Sequence, residues 1–326
     1  MKSPVAMDIA VMVLLSVAAA SCNRPADRRR TANSASTGKM LAPETPLPDG
    51  RLPDGCELAV RINLAAVRGG MSSEGVDGLY KLSSGSAVEA IIASGMDPLR
   101  TFDWAELCRM GDSDGHPTLI HYLSKGPTKF LEQLSDTFHD PIVTERNSAV
   151  LRHDRIWMAR RNESELFVAD SESLLGAVLE EKTSSYTFPP DALMAIMLDR
   201  RGFQVMSSKI NFSAIPELAN VQTAVLAFLS DRSTIIARLT SRDALEATNL
   251  AVGISRSATF WKRHGKTNAQ IETRVEGREA VVTAVLPSGA AEAVFRNIGK
   301  VGRGMSGVAT AASNQLSALV QSSPSK

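Results

Sequence analysis

The five histidines, His116, His121, His139, His153 and His264, are the side chains of this 326-residue sequence best suited to proton transfer or metal binding. A zinc site needs ligands presented together, as in His-Glu-x-x-His on a helix, and that spacing does not occur. On a strand running from residue 116 to 123, His116 and His121 have opposite parity and point to opposite faces. The pairs His139-Asp140 and His153-Asp154 fall in turn-like segments, where surface polar residues are expected. A hydrolase would draw on His116, His121 or His153, and would need a concave pocket with a histidine within hydrogen-bond reach of a carboxylate or hydroxyl. There is no Gly-x-Ser-x-Gly elbow and no Ser-x-x-Lys arrangement suited to a secreted hydrolase. Gly302-Arg303-Gly304-Met305-Ser306-Gly307 satisfies Gly-x-Gly-x-x-Gly, but it follows a helical stretch and no second strand follows it, so a glycine hinge is the simpler reading. Asp112 and Asp114 lack the later bidentate glutamate of a calcium loop. Glu163, Glu165, Glu180 and Glu181 are expected on solvated faces. No catalytic residue, metal site or cofactor is therefore assigned, and an enzyme is not expected.

The cysteines carry more information. Lys2, an apolar run over residues 9–20 and the small residues Ala18, Ala19, Ala20 and Ser21 ahead of Cys22 form the grammar of a secretory signal. The run is shorter than the ~20 residues a bilayer-spanning helix needs, so an uncleaved anchor fits least well. An ordinary signal peptide is the other alternative. The stretch Val17-Ala18-Ala19-Ala20-Ser21-Cys22 resembles a bacterial lipobox, with Ala19 where leucine is common. The resemblance implies a signal peptide over 1–21, a diacylglycerol on the Cys22 thiol and an acylated amino terminus there. Several acyl chains, at about 0.8 kcal/mol per buried methylene, hold a protein stably at a membrane. Asn23 rather than aspartate after the cysteine is similar to lipoproteins sent to the outer membrane in enteric bacteria.

Cys56 and Cys108 remain, in a compartment where a disulfide persists. Bridging them closes a loop worth about 4 kcal/mol of chain entropy. Two separate buried thiols are the alternative, because Cys56 shares strand parity with Leu58, Val60 and Ile62 on a core face.

Residues 22–51 read as a flexible tether, with Arg28-Arg29-Arg30, Pro43, Pro46 and Pro48 and almost no bulky apolar side chains to offset ordering entropy. The remainder is long enough for about two domains, and its 44% hydrophobic content supplies a core. A net charge of +1 and only three tyrosines and three tryptophans give no field or stacking surface for nucleic acid.

Alternating apolar residues predict strands near 58–64, 102–110, 118–123, 142–145, 149–159 (turning at His153-Asp154) and 165–169. In the second half they predict strands over 193–198, 224–230, 234–240, 270–276 and 279–286. Helices are expected over 86–94 (ended by Gly95), 127–138, 171–179, 241–257 and 288–298. Pro189-Pro190-Asp191 before the strand at 193 echoes Leu52-Pro53-Asp54 before the strand at 58. The shared order of hairpin, helix, hairpin, helix predicts an internal duplication. The expected fold is α+β, two similar antiparallel-sheet units over 52–182 and 189–302 with helices packed on one face, then a marginally helical tail over 303–326.

Signal, tether and repeated units together resemble the uncharacterised secreted lipoproteins of bacteria with large genomes. That likeness of architecture implies location and fold, and no site residues. The expected role is a non-enzymatic binding or scaffolding module, held to the membrane by acylated Cys22 and facing the periplasm. Its partner would be an envelope protein or ligand taken up between the two units. A structural link between membrane and cell wall through the tail is a further alternative.

Overall fold

Leu58, Val60 and Ile62 alternate with Ala59 and Arg61, and this pattern forms a central strand, as a computed structural model shows. The structure describes residues 52–68, 91–92, 94–110, 118–180, 183–184, 188–189, 191–208, 215–229, 231, 233–263 and 269–286. Its strands are β1 (Leu52–Pro53), β2 (Leu58–Asn63), β3 (Trp104–Arg109), β4 (Thr118–Leu123), β5 (Val143–Glu145), β6 (Ser148–His153), β7 (Ile156–Arg160) and β8 (Glu165–Ala169), followed by β9 (Thr183–Ser184), β10 (Ala192–Leu198), β11 (Thr223–Leu229), β12 (Thr234–Thr240), β13 (Gln270–Glu276) and β14 (Glu279–Val285). The helices are α1 (Leu64–Arg68), α2 (Pro98–Thr101), α3 (Phe130–Phe138), α4 (Glu172–Leu179), α5 (Arg200–Ser208) and α6 (Ala244–Arg263), with a 3-10 turn at Pro216–Asn220.

Twelve strands form one antiparallel sheet in the order β13-β14-β12-β11-β10-β2-β3-β4-β8-β7-β6-β5. The fold is thus α+β, and both expected units share this sheet. Outward from the central β2–β10 pair, where Arg61 stands opposite Ala195, one side runs β3, β4, β8, β7 and the other β11, β12, β14, β13.

One face of the sheet carries Val60, Ile62, Ile120, Tyr122, Leu166 and Val168, buried against Leu64 and Val67 of α1 and Phe130, Leu131 and Leu134 of α3. On the same face of the second half, Leu239, Ala280 and Val282 pack under Phe203 of α5 and Leu250, Ala251 and Ile254 of α6. The opposite face of the first half is also covered. There Ala59, Cys108, Leu119, Phe167 and Ala195 lie under Leu174, Leu175 and Val178 of α4, with Leu52 of the small β1–β9 ribbon beside them. This extra layer explains why four consecutive residues of β2 are buried rather than alternate ones.

Local chemistry shifts several expected boundaries. The helix expected from residue 127 begins at Phe130, because the Thr128 N–H donates to the Glu163 carbonyl at 2.7 Å and holds that stretch against the loop before β8. Asp243 caps α6 by accepting from the Glu246 N–H at 2.9 Å, and the helix runs on to Arg263. Gly95 adopts φ +83, as a helix-terminating glycine does. Cys56 does not share the face of Val60 and Ile62. Gly55, at φ +84, turns the chain ahead of β2, and Cys56 packs with Ala59 and Cys108 on the other face. The signal peptide with Cys22, the tether over 22–51, most of the helix expected over 86–94, all of that over 288–298 and the tail over 303–326 lie outside the described residues.

Candidate functional site

Three neighbouring strands place a charged triad inside the protein. Arg61 on β2 stands directly opposite Glu106 on β3, and Glu106 directly opposite His121 on β4. The Arg61 Nε donates to Glu106 Oε1 at 2.7 Å, its Nη2 lies in ionic contact 2.5 Å from the same oxygen, and His121 Nδ1 is 3.3 Å from Oε2. Glu106 is fully buried and the His121 side chain is 2% exposed. Phe167 on β8 stacks on His121 with ring centroids 4.2 Å apart, and the Arg61 guanidinium lies 5.2 Å from the Phe188 ring. Burial pushes the Glu106 carboxyl upward, but the His121 hydrogen bond and the charge of Arg61 outweigh it and hold the group below its ordinary value of 4.5. His121 Nε2 has no hydrogen-bond partner among the described residues. A carboxylate on Nδ1 is the arrangement that orients a catalytic imidazole. Here Nε2 is buried in the interior.

Beside the triad, Cys56 and Cys108 form a disulfide with Cα atoms 5.4 Å apart. Of the alternatives the sequence leaves open, the structure therefore has the bridge. It ties the segment before β2 to β3 on the face that α4 covers.

An open concavity lies elsewhere, at the outer end of the first half. A half-open cleft of about 320 Å³ runs between α4 and the β5–β6–β7 strands. Trp157 forms part of its wall, with the Arg152 guanidinium 4.5 Å from the ring centroid. Arg152 also pairs with Glu145 at 2.6 Å, and Arg146 pairs with Glu180 at 2.6 Å. Arg146 and Asn147 both adopt positive φ, 49° and 61°, in the two-residue turn between β5 and β6, which swings Arg146 toward α4. Glu172, Ser173 and Leu175 supply the helix side. This cleft lies within the first half, and where the two halves meet β2 and β10 are hydrogen-bonded neighbours.

His153 also contacts a carboxylate, with Nδ1 2.7 Å from Asp140 Oδ2 and the ring stacked on Phe138 at 3.9 Å. Its parity puts it on the α3 side of the sheet, opposite Arg152 and the cleft. Neither His121 nor His153 lines this cleft, and His116 lies outside the described residues. Asp112, Asp114 and residues 302–307 lie outside them as well. Glu165, expected on a solvated face, is instead buried at 8% exposure. No group of three or more His, Cys, Asp or Glu side chains is placed to hold a metal ion among the described residues, and no described helix is long and apolar enough to cross a membrane.

The sequence left Arg61 and Glu106 unremarked because alternation on one strand reads as one buried and one solvated face. The charged residues at matching parity on three successive strands were the available signal.

No family model matches the chain, and no curated protein matches it. Among solved structures it is similar to the protein TP0453 in several crystal forms. Form I matches with a TM-score of 0.48 and 12% identity, covering 77% of this chain and 95% of that one. Form III matches at 0.46 and 12%, covering 76% and 96%, and form IV at 0.46 and 11%, covering 77% and 97%. At these values the likeness assigns no activity, ligand or residue role to this chain.

Proposed function

We propose that this protein is a lipid-anchored envelope protein acting as a non-enzymatic binding or scaffolding module, held by acylated Cys22 and the tether over 22–51, with the cleft beside α4 as its contact surface. The observation that carries the contact surface is the cleft itself. Arg152 pairs with Glu145 and Arg146 with Glu180 around Trp157, an arrangement that presents a fixed polar and aromatic surface. The anchor rests on the residues before Cys22. The matched strand order on either side of β2–β10 supports reading the two halves as an internal duplication, of which only the first half carries the Trp157 cleft.

Clickable fatty-acid labelling of wild type and Cys22→Ala, combined with a photo-crosslinking side chain at Ser173 in the cleft, tests both parts. Fatty-acid label is expected on the wild type and lost in Cys22→Ala, and crosslinked adducts are expected to disappear with Trp157→Ala. No label on either form removes the anchor, and adducts indifferent to Trp157 remove the cleft.

A further inference from the structure

The two ends of the sheet are built differently. At one end β5 has three residues, whereas β13 at the other has seven and no strand on its outer side among the described residues. A long edge strand offers a row of backbone donors and acceptors to another chain. The β13–β14 hairpin turns through Gly277, at φ 60, and Arg278, with Glu276 opposite Glu279. In such a two-residue hairpin the flanking pair exchanges both hydrogen bonds. Gln270, Glu272, Arg274 and Glu276 therefore direct their backbone groups to β14, and Ile271, Thr273 and Val275 direct theirs outward.

We propose that this edge docks a second copy of the same chain, antiparallel about a two-fold axis at Thr273. In that register Glu272 stands opposite the partner's Arg274, Ile271 opposite the partner's Val275, and Thr273 opposite its own copy. The outward N–H groups of one strand meet the outward carbonyls of the other. Neighbouring registers are excluded by charge and by face. A shift of two residues one way sets Glu272 against its own copy. The opposite shift sets Arg274 against its own copy and Glu272 against Glu276, and like charges directly opposite are unfavourable. A shift of one residue turns the buried faces of the two sheets to opposite sides.

The side chains are poised for this pairing. Glu272 makes no ion pair among the described residues. Arg274 uses its Nε on Glu276 of its own strand at 2.7 Å, which leaves its terminal nitrogens for a carboxylate across the axis. Glu276 is further held by Arg238 at 3.0 Å, and Val275 is 39% exposed. The interface is isologous, and it closes as a dimer because pairing uses up the β13 edge of both copies.

Sedimentation velocity of the full chain carrying Cys22→Ala, over a wide concentration range, tests the proposal. A dimer that dissociates on dilution is expected. Glu272→Arg and Arg274→Glu are each expected to weaken it by about tenfold or more, with far-UV circular dichroism reporting that each variant is folded. An equimolar mixture of the two single variants is expected to form heterodimers, and the double variant E272R/R274E to regain the homodimer, because both restore unlike pairs. A wild type that stays monomeric at the highest concentration, or a dimer indifferent to both reversals, overturns the proposal.

Discussion

Glu106 is the residue on which the interior charge balance turns. Arg61 and His121 both approach it, and removing the carboxylate leaves a buried guanidinium without its counter-ion. Breaking such a pair costs about 3 kcal/mol or more, and Glu106→Gln is expected to lose that much at neutral pH, measured by urea denaturation. The pH dependence follows from the direction of the shift. The folded-state pKa lies below the ordinary value of 4.5, so the ionised group's stabilisation is fully present above that value and is lost as pH falls from there through the folded pKa. The wild type should therefore destabilise over this acid range, and Glu106→Gln should show a shallower decline. Parallel profiles for the two proteins would show that the triad does not govern acid stability. His121 was visible in the sequence as a histidine on a strand; its partners were not, because Arg61 and Glu106 occupy positions that a one-sided sheet would expose.

At the scale of elements, alternation and turn chemistry made most strands legible. β11 and β12 lie within one residue of expectation, and the β6–β7 turn bends where expected, with Asp154 at φ 50. Helix α5 was missed because its sequence, Arg200-Arg201-Gly202-Phe203, places a glycine within the first turn, which locally reads as a breaker. The structure gives the reason for the glycine. A Cβ at residue 202 would lie 2.2 Å from the Glu57 carbonyl oxygen, where α5 passes over the entry to β2, and the Gly202 N–H donates to Asp199 Oδ1 at 2.7 Å. Helix propensity alone would make Gly202→Ala stabilising by about 1 kcal/mol. The clash is expected to reverse the sign, with a net loss of about 1–3 kcal/mol. Chemical denaturation checks this, and an unchanged or higher midpoint would mean that the two segments do not meet so closely.

The whole molecule depends on contacts between segments distant in the chain, and the Cys56–Cys108 bridge is the covalent one. Its 52-residue separation corresponds to about 4 kcal/mol of unfolded-state entropy. Paired Cys56→Ala and Cys108→Ala substitutions should lower unfolding stability by about that amount and abolish its sensitivity to reductant. A wild type equally stable with and without reductant would argue for two thiols. Strand periodicity and the α+β class were legible in the sequence alone, because they depend on neighbours a few residues apart. Folding in three dimensions added that β2 pairs with β10, that α4 crosses to the opposite face, that Arg61, Glu106 and His121 meet, and that Arg146, Arg152 and Trp157 line a cleft with α4. The physical reason is that side-chain alternation fixes which residues share a face of one strand. Which strand lies alongside, and what covers that face, is set by non-local burial and pairing that no local pattern encodes.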